Sequence, residues 1–177
     1  MPALEQLGAA TLSTDQVVHE LYATREVRDA VIERFGHDVA PAGEIDRAQL
    51  AERAFATPPD REWLEGMLWP RVGARILDWR RQLDHSPRPP RAAVVEVPLL
   101  FEAGMEPAFD CTIAVLADEA IRARRAQQRG HRSLEERSSR QLSQEEKAAR
   151  ATYVVRNNGS PGDLMKRLSE VLDMLER

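Results

Sequence analysis

The chain has 177 residues, of which 42% are hydrophobic and 31% charged, and its formal net charge at pH 7 is −4. This length and composition predict a soluble globular protein of one domain with a sizeable core. No apolar run approaches the roughly 18 residues of a membrane span, and the N-terminus has no basic start followed by an apolar stretch. Neither membrane insertion nor export is therefore indicated, and a cytoplasmic protein is expected.

The first half of the chain predicts one short strand, over residues 9–14, followed by helices. The helical runs are, in order, residues 16–35, 47–56 and 60–83. Gly36 is expected to end the first run, and Asp46 is a good N-cap for the second. Pro70 predicts a break or kink within the third.

Strands and helices alternate in the second half. Strand patterns cover residues 92–97, 111–116 and 153–156, and helical patterns cover residues 118–128, 133–150 and 161–176. Strands separated by long helical patterns predict an α/β fold with a doubly wound parallel sheet. The single cysteine, Cys111, excludes an internal disulfide and is expected to be a buried strand thiol.

The apolar run over residues 92–97 predicts a buried strand, and it leads into a loop of unusual composition. The run stops at Pro98 and opens into an apolar turn that carries one acid, Glu102, and ends at Gly104. Parallel α/β sheets present their ligand-binding loops at the carboxyl edge in this way. A ligand-binding loop is therefore predicted here.

Basic charge is concentrated in residues 121–140. Seven arginines and two glutamates give this stretch a local charge of +5, which leaves −9 for the remainder of the chain with its total of −4. A solvated helical face, a polyphosphate or nucleotide site and a nucleic-acid surface all fit such a cluster. The stretch contains no Phe, Tyr or Trp, so a base-stacking platform for single strands is not expected.

Three blocks together closely resemble the dephospho-CoA kinase family. They are residues 95–104, residues 43–50 with Phe55 beyond them, and residues 153–160. The family belongs to the P-loop kinases and uses ATP to phosphorylate the ribose 3′-hydroxyl of dephospho-CoA, the last step of coenzyme A biosynthesis. The resemblance extends from Gly8 to the C-terminus. It implies a sheet of the P-loop kinase type, a helical substrate region at about residues 36–90, and an arginine-rich lid at about residues 125–150.

One family motif is absent from the printed sequence. The glycine-rich phosphate loop, G-x-x-x-x-G-K-[ST], does not occur in it. By resemblance, residues 2–8 are the tail of the first helix, so the first strand and the loop are expected upstream of Met1. Without that loop we expect the chain as printed to be inactive.

Asp15 is the candidate catalytic residue. It follows the strand over residues 9–14, at an edge where ligands bind. It also matches the second acid of the family's D-A-D motif, the residue thought to accept the proton of the ribose hydroxyl. Ser13 replaces the first acid. The alternative interpretation is that Asp15 only caps the following helix.

The resemblance assigns further residues to ATP. Arg125, Arg129 and Arg137 are candidates for phosphate contact in the lid, where guanidinium groups suit phosphate oxygens. Asn157 and Gly159 match the family's N-x-G-S pattern near the adenine, although an Asn-Gly pair is also an ordinary turn. ATP and Mg²⁺ are the implied cofactors, and no residue is assigned to the metal.

The acceptor, dephospho-CoA, is assigned to the middle of the chain. The matching residues are Asp46, Arg47, Pro98, Leu99, Leu100 and Glu102. Alternatively, Asp46 and Arg47 merely start a helix, and the leucines belong to the core. Gln141 and Lys147 match the family after the lid and are interpreted as structural support. The remaining departures from the family are Trp69, Thr152 and Arg156.

Two other interpretations stay open. A degenerate, non-catalytic paralogue would bind CoA-like or adenine nucleotides without transferring phosphate. A different nucleotide kinase, or an RNA-binding protein, would use the arginine cluster for another ligand.

Overall fold

The computed structural model describes residues 1–128 and 141–176. Its elements are α1 (Pro2–Gln6), β1 (Ala10–Ser13), α2 (Thr14–Ala23), α3 (Arg25–Phe35), α4 (Arg47–Ala54), α5 (Pro58–Asp84), β2 (Ala93–Glu96), β3 (Ile113–Leu116), α6 (Glu119–Gln128), α7 (Gln144–Arg150), β4 (Tyr153–Arg156) and α8 (Pro161–Leu175). Short 3₁₀ turns lie at His37–Val39 and Glu106–Ala108. Of the helices described, none is long and apolar enough to cross a membrane.

The backbone divides into two compact units. One consists of Met1–Ala10 together with Val97–Arg177, and the other is Thr11–Glu96. The α/β class and the presence of parallel strands are confirmed. The single domain, the missing first strand and the arginine-rich lid stay predictions.

The unit Thr11–Glu96 is a helical cluster with its own core. The buried side chains come from α2, α3, α4, α5 and the first 3₁₀ turn, and they are Val17, Leu21, Val27, Val31, Phe35, Val39, Leu50, Ala54, Leu64, Leu68 and Val72. Most recur at spacings of three or four residues, which puts them on one face of each helix. The ring of Trp63 meets that of Phe35 edge to face, with the centroids 5.6 Å apart.

The prediction of one helix over residues 16–35 is wrong, because the chain forms α2 and α3 with a break at Thr24. Thr24 is extended, with φ −72° and ψ 142°, and its hydroxyl donates to the Leu21 carbonyl over 2.7 Å. A threonine hydroxyl competes in this way with the helical bond to that carbonyl. The expected stop at Gly36 is confirmed, since its φ of +87° suits glycine.

The break predicted at Pro70 is also wrong, because α5 runs without interruption from Pro58 to Asp84, while the alternative of a kink stays a prediction. Buried residues on both sides of the proline, Leu68 and Val72, belong to the same core. Core packing therefore outweighs the lost backbone hydrogen bond. The two prolines at residues 58 and 59 lie in the first turn of α5, where no amide donor is needed.

Strands β1 and β2 form a two-stranded sheet. The strand predicted over residues 92–97 exists, but its expected burial is wrong: Ala93 and Glu96 are exposed, and the two valines between them are half-buried. A two-stranded sheet has only edge strands, so neither strand is enclosed as a central strand would be. The Thr14 hydroxyl donates to the Glu96 carbonyl over 3.0 Å and ties the start of α2 to the end of β2.

In the other unit, β3 and β4 pair in parallel, with Ile113 opposite Tyr153 and Leu116 opposite Arg156. Helix α8 buries Leu168, Val171 and Leu172, and it contacts both β4 and α1. The predicted bounds of β4 are confirmed. Cys111 lies just before β3 and is half-buried rather than buried in the strand, and burial raises the pKa of its thiol.

The helix predicted over residues 133–150 is wrong for residues 141–143, because α7 begins at Gln144. Ser143 is the N-cap: its hydroxyl accepts from the Glu146 amide over 3.1 Å, and the Glu146 carboxylate accepts from the Ser143 amide over 2.8 Å. This capping box satisfies two helix-end donors and fixes the start of the helix. Residues 133–140 lie outside the described residues.

Candidate functional site

Asp15 stands in the first turn of α2, directly after β1. The N-cap of α2 is Ser13, so the expectation that Asp15 caps the helix is wrong. The Asp15 side chain is exposed and has no hydrogen-bond partner among residues 1–128 and 141–176. Its carboxylate is therefore free to accept a hydrogen bond, or a proton, from a hydroxyl group of a ligand.

Asp46 caps α4, as predicted. Its Oδ1 accepts from the amides of Ala48 over 2.9 Å and Gln49 over 3.2 Å, and its Oδ2 accepts from the Gln49 side chain over 3.2 Å. These bonds, the backbone bond of Gln49 first, hold the pKa of Asp46 below its usual value. Both oxygens are thus engaged by the helix that Asp46 starts.

Arg47 is the first residue of α4, and its side chain is exposed. Its charge acts on Tyr22, a half-buried residue of α2: burial raises the pKa of the phenol, and the positive charge of Arg47 opposes that shift. Asp15 and Tyr22 are seven residues apart on α2, which places them on the same helical face. The guanidinium group of Arg47 and the face of α2 that carries Asp15 and Tyr22 both belong to the unit Thr11–Glu96.

Residues 98–104, here called the acceptor loop, form a compact turn that ends at Gly104. The amide of Gly104 donates to the Phe101 carbonyl over 3.2 Å, and the amide of Met105 donates to the Leu100 carbonyl over 3.0 Å. Gly104 has a φ of +63°, so the turn closes in the manner of a helix that ends at a left-handed glycine. Leu99 is 43% exposed, so the interpretation of this leucine as core is wrong.

Glu102 points inward and is bound by the protein itself. Its Oε1 accepts from the Leu142 amide over 2.9 Å and lies 2.9 Å from Lys147 Nζ, and the side chain is 13% exposed. Burial works to raise the pKa of Glu102, but Lys147 and the Leu142 amide outweigh it and lower that pKa. Lys147 Nζ also donates to the Pro98 carbonyl over 3.2 Å.

Arg125 contacts the backbone after β4. Its guanidinium donates to the carbonyl of Asn157 over 2.8 Å and to that of Gly159 over 3.4 Å. The side chain of Asn158 accepts from the Asp118 amide over 2.9 Å, so the start of α6 and the loop after β4 are held together. Arg125, Asn157 and Gly159 are thus brought together, and their assignment to ATP stays a prediction.

Two of the arginines predicted to contact ATP are in the part of the chain that the structure does not describe. Arg129 and Arg137 lie outside the described residues, and their role in the lid stays a prediction. Within residues 1–128 and 141–176, no group of three or more histidine, cysteine, aspartate or glutamate side chains is placed to hold a metal ion. These residues offer no cage for Mg²⁺, and none is assigned to it.

Sequence reasoning missed three contacts. Gln144 accepts from the Ala117 amide over 2.9 Å, which joins α7 to the end of β3. Thr152, noted only as a departure from the family, exchanges two hydrogen bonds with Thr112, each donated by the amide of one to the hydroxyl of the other, over 3.1 and 3.0 Å. Lys147 reaches the acceptor loop. No local pattern signals such contacts, because the partners are 27 to 49 residues apart.

Similarity to known proteins bears on the identity of the family. The family model for dephospho-CoA kinase matches residues 2–163. The dephospho-CoA kinase of Protochlamydia amoebophila is 36% identical over 178 residues, which cover 98% of this chain and 87% of that protein.

Two solved structures are also similar. A Thermus thermophilus crystal structure has a TM-score of 0.79 and 32% identity, covering 98% of this chain and 88% of that one. The dephospho-CoA kinase from Campylobacter jejuni has a TM-score of 0.65 and 26% identity, covering 97% and 87% of the two chains. The resemblance predicted from the sequence is confirmed, and the chain belongs to the dephospho-CoA kinase family, whose members are ATP-using kinases of coenzyme A biosynthesis.

Proposed function

We propose that this protein transfers the γ-phosphoryl group of ATP to the ribose 3′-hydroxyl of dephospho-CoA. The observation that carries the proposal is the free carboxylate of Asp15, exposed in the first turn of α2 and not needed to cap it. Phosphoryl transfer to an alcohol requires a group that orients the attacking hydroxyl and takes its proton. Asp15 supplies it.

The candidate residues for the acceptor keep, in this proposal, the roles that the family resemblance implies. Arg47 offers an exposed cation for the diphosphate, and Leu99 and Leu100 offer apolar surface for the pantetheine arm. Pro98 contributes to the shape of the loop. Asp46 and Glu102 act indirectly, since their carboxylates are occupied by α4 and by Lys147.

ATP is bound in this proposal through arginines and through the loop after β4. Arg125 holds the carbonyls of Asn157 and Gly159, which favours one conformation of that loop for the adenine. Arg129 and Arg137 would stabilise charge on the transferred phosphoryl group. Mg²⁺ enters with the ATP phosphates, and no step is assigned to it here.

The test is CoA formation from dephospho-CoA and ATP by a form of the chain extended upstream to include a glycine-rich phosphate loop. Asp15→Asn keeps the shape of the side chain and removes its charge, and we expect it to lower kcat by about 10²-fold or more. Glu33→Gln, the same kind of charge removal at an exposed residue of the next helix, is the matched control and should be near wild type. Near-normal turnover by Asp15→Asn would contradict the assignment of the base.

The 177 residues by themselves form a second arm of the test. They contain no glycine-rich loop to hold the β- and γ-phosphates, so we expect them to form no CoA on their own. CoA formation by the 177-residue chain would contradict this part of the proposal. Binding of dephospho-CoA without turnover is what a non-catalytic paralogue would also show, so the comparison with the extended chain decides between the two.

A further inference from the structure

Two cations of α7 reach from one helix into the segment that contains the acceptor loop. Lys147 pairs with Glu102, and Arg150, one turn later, pairs with Glu106 and lies over the ring of Phe101 at 5.2 Å from its centroid. Lysine and arginine are three residues apart on the helix, and the two glutamates are four residues apart on the loop side. Two neighbouring ion pairs therefore connect α7 to this segment.

The Lys147–Glu102 pair is the more enclosed of the two. The side chains are 21% and 13% exposed, against 41% and 26% for Arg150 and Glu106. An enclosed pair is weakly screened by solvent, and removing one partner leaves the other charge without compensation. Glu102 Oε2 is buried and has no hydrogen-bond partner among residues 1–128 and 141–176, so within this part of the chain the carboxylate depends on the bonds at its other oxygen.

Lys147 also fixes the backbone of the loop. Its ammonium group donates to the Pro98 carbonyl at the start of the acceptor loop and to Glu102 four residues later. Glu102 Oε1 in turn accepts from the Leu142 amide, just before α7 begins. One ammonium group thus holds both ends of the segment that carries Leu99 and Leu100.

We propose that Lys147 and Glu102 are positioning residues for the acceptor, and that their ion pair holds the acceptor loop in the conformation that binds dephospho-CoA. The proposal rests on the proposed function for the identity of the ligand. Neither side chain needs to touch the substrate. Their effect is transmitted by the Pro98 carbonyl and by the exposed Leu99, whose place depends on the backbone that Lys147 holds.

The experiment compares Lys147→Met with Lys166→Met in the chain extended upstream by a glycine-rich loop. Lys166 is exposed on α8, so the control makes the same chemical change on another helix. We expect Lys147→Met to raise KM for dephospho-CoA by roughly tenfold or more, with kcat and KM for ATP within about threefold of wild type. Lys147→Arg keeps the charge and should recover most of the affinity.

A second measurement needs no turnover. Amide hydrogen exchange at Ala103, Gly104 and Met105 reports opening of the acceptor loop, because these amides close its turn. We expect exchange to be faster by about tenfold in Lys147→Met and unchanged in Lys166→Met. Glu102→Gln combined with Lys147→Met should be less impaired than Lys147→Met alone, since the double variant leaves no unpaired buried charge.

The outcomes separate the two proposals. One outcome is that the extended chain without a substitution forms no CoA, while amide hydrogen exchange in the acceptor loop still responds to Lys147→Met. This outcome contradicts the proposed function but supports the inference that Lys147 holds the acceptor loop. A Lys147→Met variant with wild-type KM for dephospho-CoA and wild-type loop exchange overturns the inference, even if its melting temperature falls. Equal increases of KM for both substrates would also overturn it, because a general loss of structure has no preference for the acceptor.

Discussion

Individual side chains in this protein differ in how far their neighbours engage them. Asp15 has no hydrogen-bond partner in the described part of the chain, Asp46 is occupied by its own helix, and Glu102 is bound by a lysine and an amide. All three are acids that the family resemblance assigns to the active site. A side chain that is not already paired can take a proton from a substrate at no cost to the fold. These contacts therefore favour Asp15 as the proposed base, and they favour structural roles for Asp46 and Glu102.

Gly159 provides a prediction at the same scale. A Cβ at this position would collide with the Asp163 carboxylate, which accepts from the Ser160 amide over 2.8 Å at the start of α8. We expect Gly159→Ala to displace this cap and lower the free energy of unfolding by about 0.5 to 2 kcal/mol. Urea denaturation measures the change.

Gly162→Ala is the matched control. Its added Cβ would meet the Ser160 hydroxyl at 3.7 Å, an ordinary contact, inside the helix. Alanine favours a helix over glycine, so this variant should be as stable as wild type or more stable by up to about 1 kcal/mol. Equal destabilisation by both alanines would show that Asp163 is not the cause.

At the scale of elements, hydrogen bonds from side chains decide where strands and helices meet. The pair Thr112 and Thr152 joins the starts of β3 and β4, and Gln144 joins α7 to the end of β3. Ser143 sets the first turn of α7. Polar residues that a sequence pattern would assign to the surface or to turns therefore connect the strands and helices of this unit through hydrogen bonds.

Thr152→Val tests the joint between β3 and β4. Valine has the same shape but cannot accept a hydrogen bond from the Thr112 amide. Thr112 is only 7% exposed, so its amide is then left without a partner at a buried residue. We expect a loss of about 1 to 3 kcal/mol in the free energy of unfolding. Thr152→Ser keeps the hydroxyl and should lose much less, and a serine variant as unstable as the valine variant would argue against the hydrogen bond.

At the scale of the whole molecule, stability depends on paired carboxylates. The pKa is lowered in several of them, including Asp46 by backbone bonds, Asp60 by Thr57 and Arg34, and Glu106 by its backbone and Arg150. A lowered pKa stabilises the fold while the group is ionised. That stability is present above the unfolded values of about 3.9 for Asp and 4.3 for Glu.

Acidification should therefore destabilise the protein from about pH 5 downward, and the loss should be complete below the lowered pKa values. Glu102→Gln removes one contributor, so its melting temperature should fall less steeply between about pH 5 and pH 3 than that of wild type. Glu52→Gln, an exposed change on α4, should follow the wild-type slope. Identical slopes for all three proteins would exclude Glu102 as a source of acid sensitivity.

Ligands offer a second test of the whole chain. We expect dephospho-CoA to raise the melting temperature of the 177 residues more than ATP does, because Arg47 and the acceptor loop are present while the glycine-rich loop is not. A ligand at 100 times its Kd stabilises the folded state by about 2.7 kcal/mol. Protection by ATP that equals or exceeds that by dephospho-CoA would contradict this expectation.

The amino-acid sequence by itself determined the family, the order of strands and helices, and the local signals. The bounds of β4, the cap at Asp46 and the stop at Gly36 follow from residue types within a few positions of one another. Such features depend on backbone preferences and short-range hydrogen bonds, which a sequence displays directly. The three blocks of the family resemblance are likewise contiguous.

Only the tertiary structure decided the continuity of α5 through Pro70 and the pairing of Lys147 with Glu102. Each results from a competition between a local preference and contacts made elsewhere in the chain. Core burial on both sides of Pro70 outweighs its cost to the helix, and the partner of Glu102 is 45 residues away in sequence. The strength of such contacts depends on burial and distance in space, and residue spacing along the chain encodes neither.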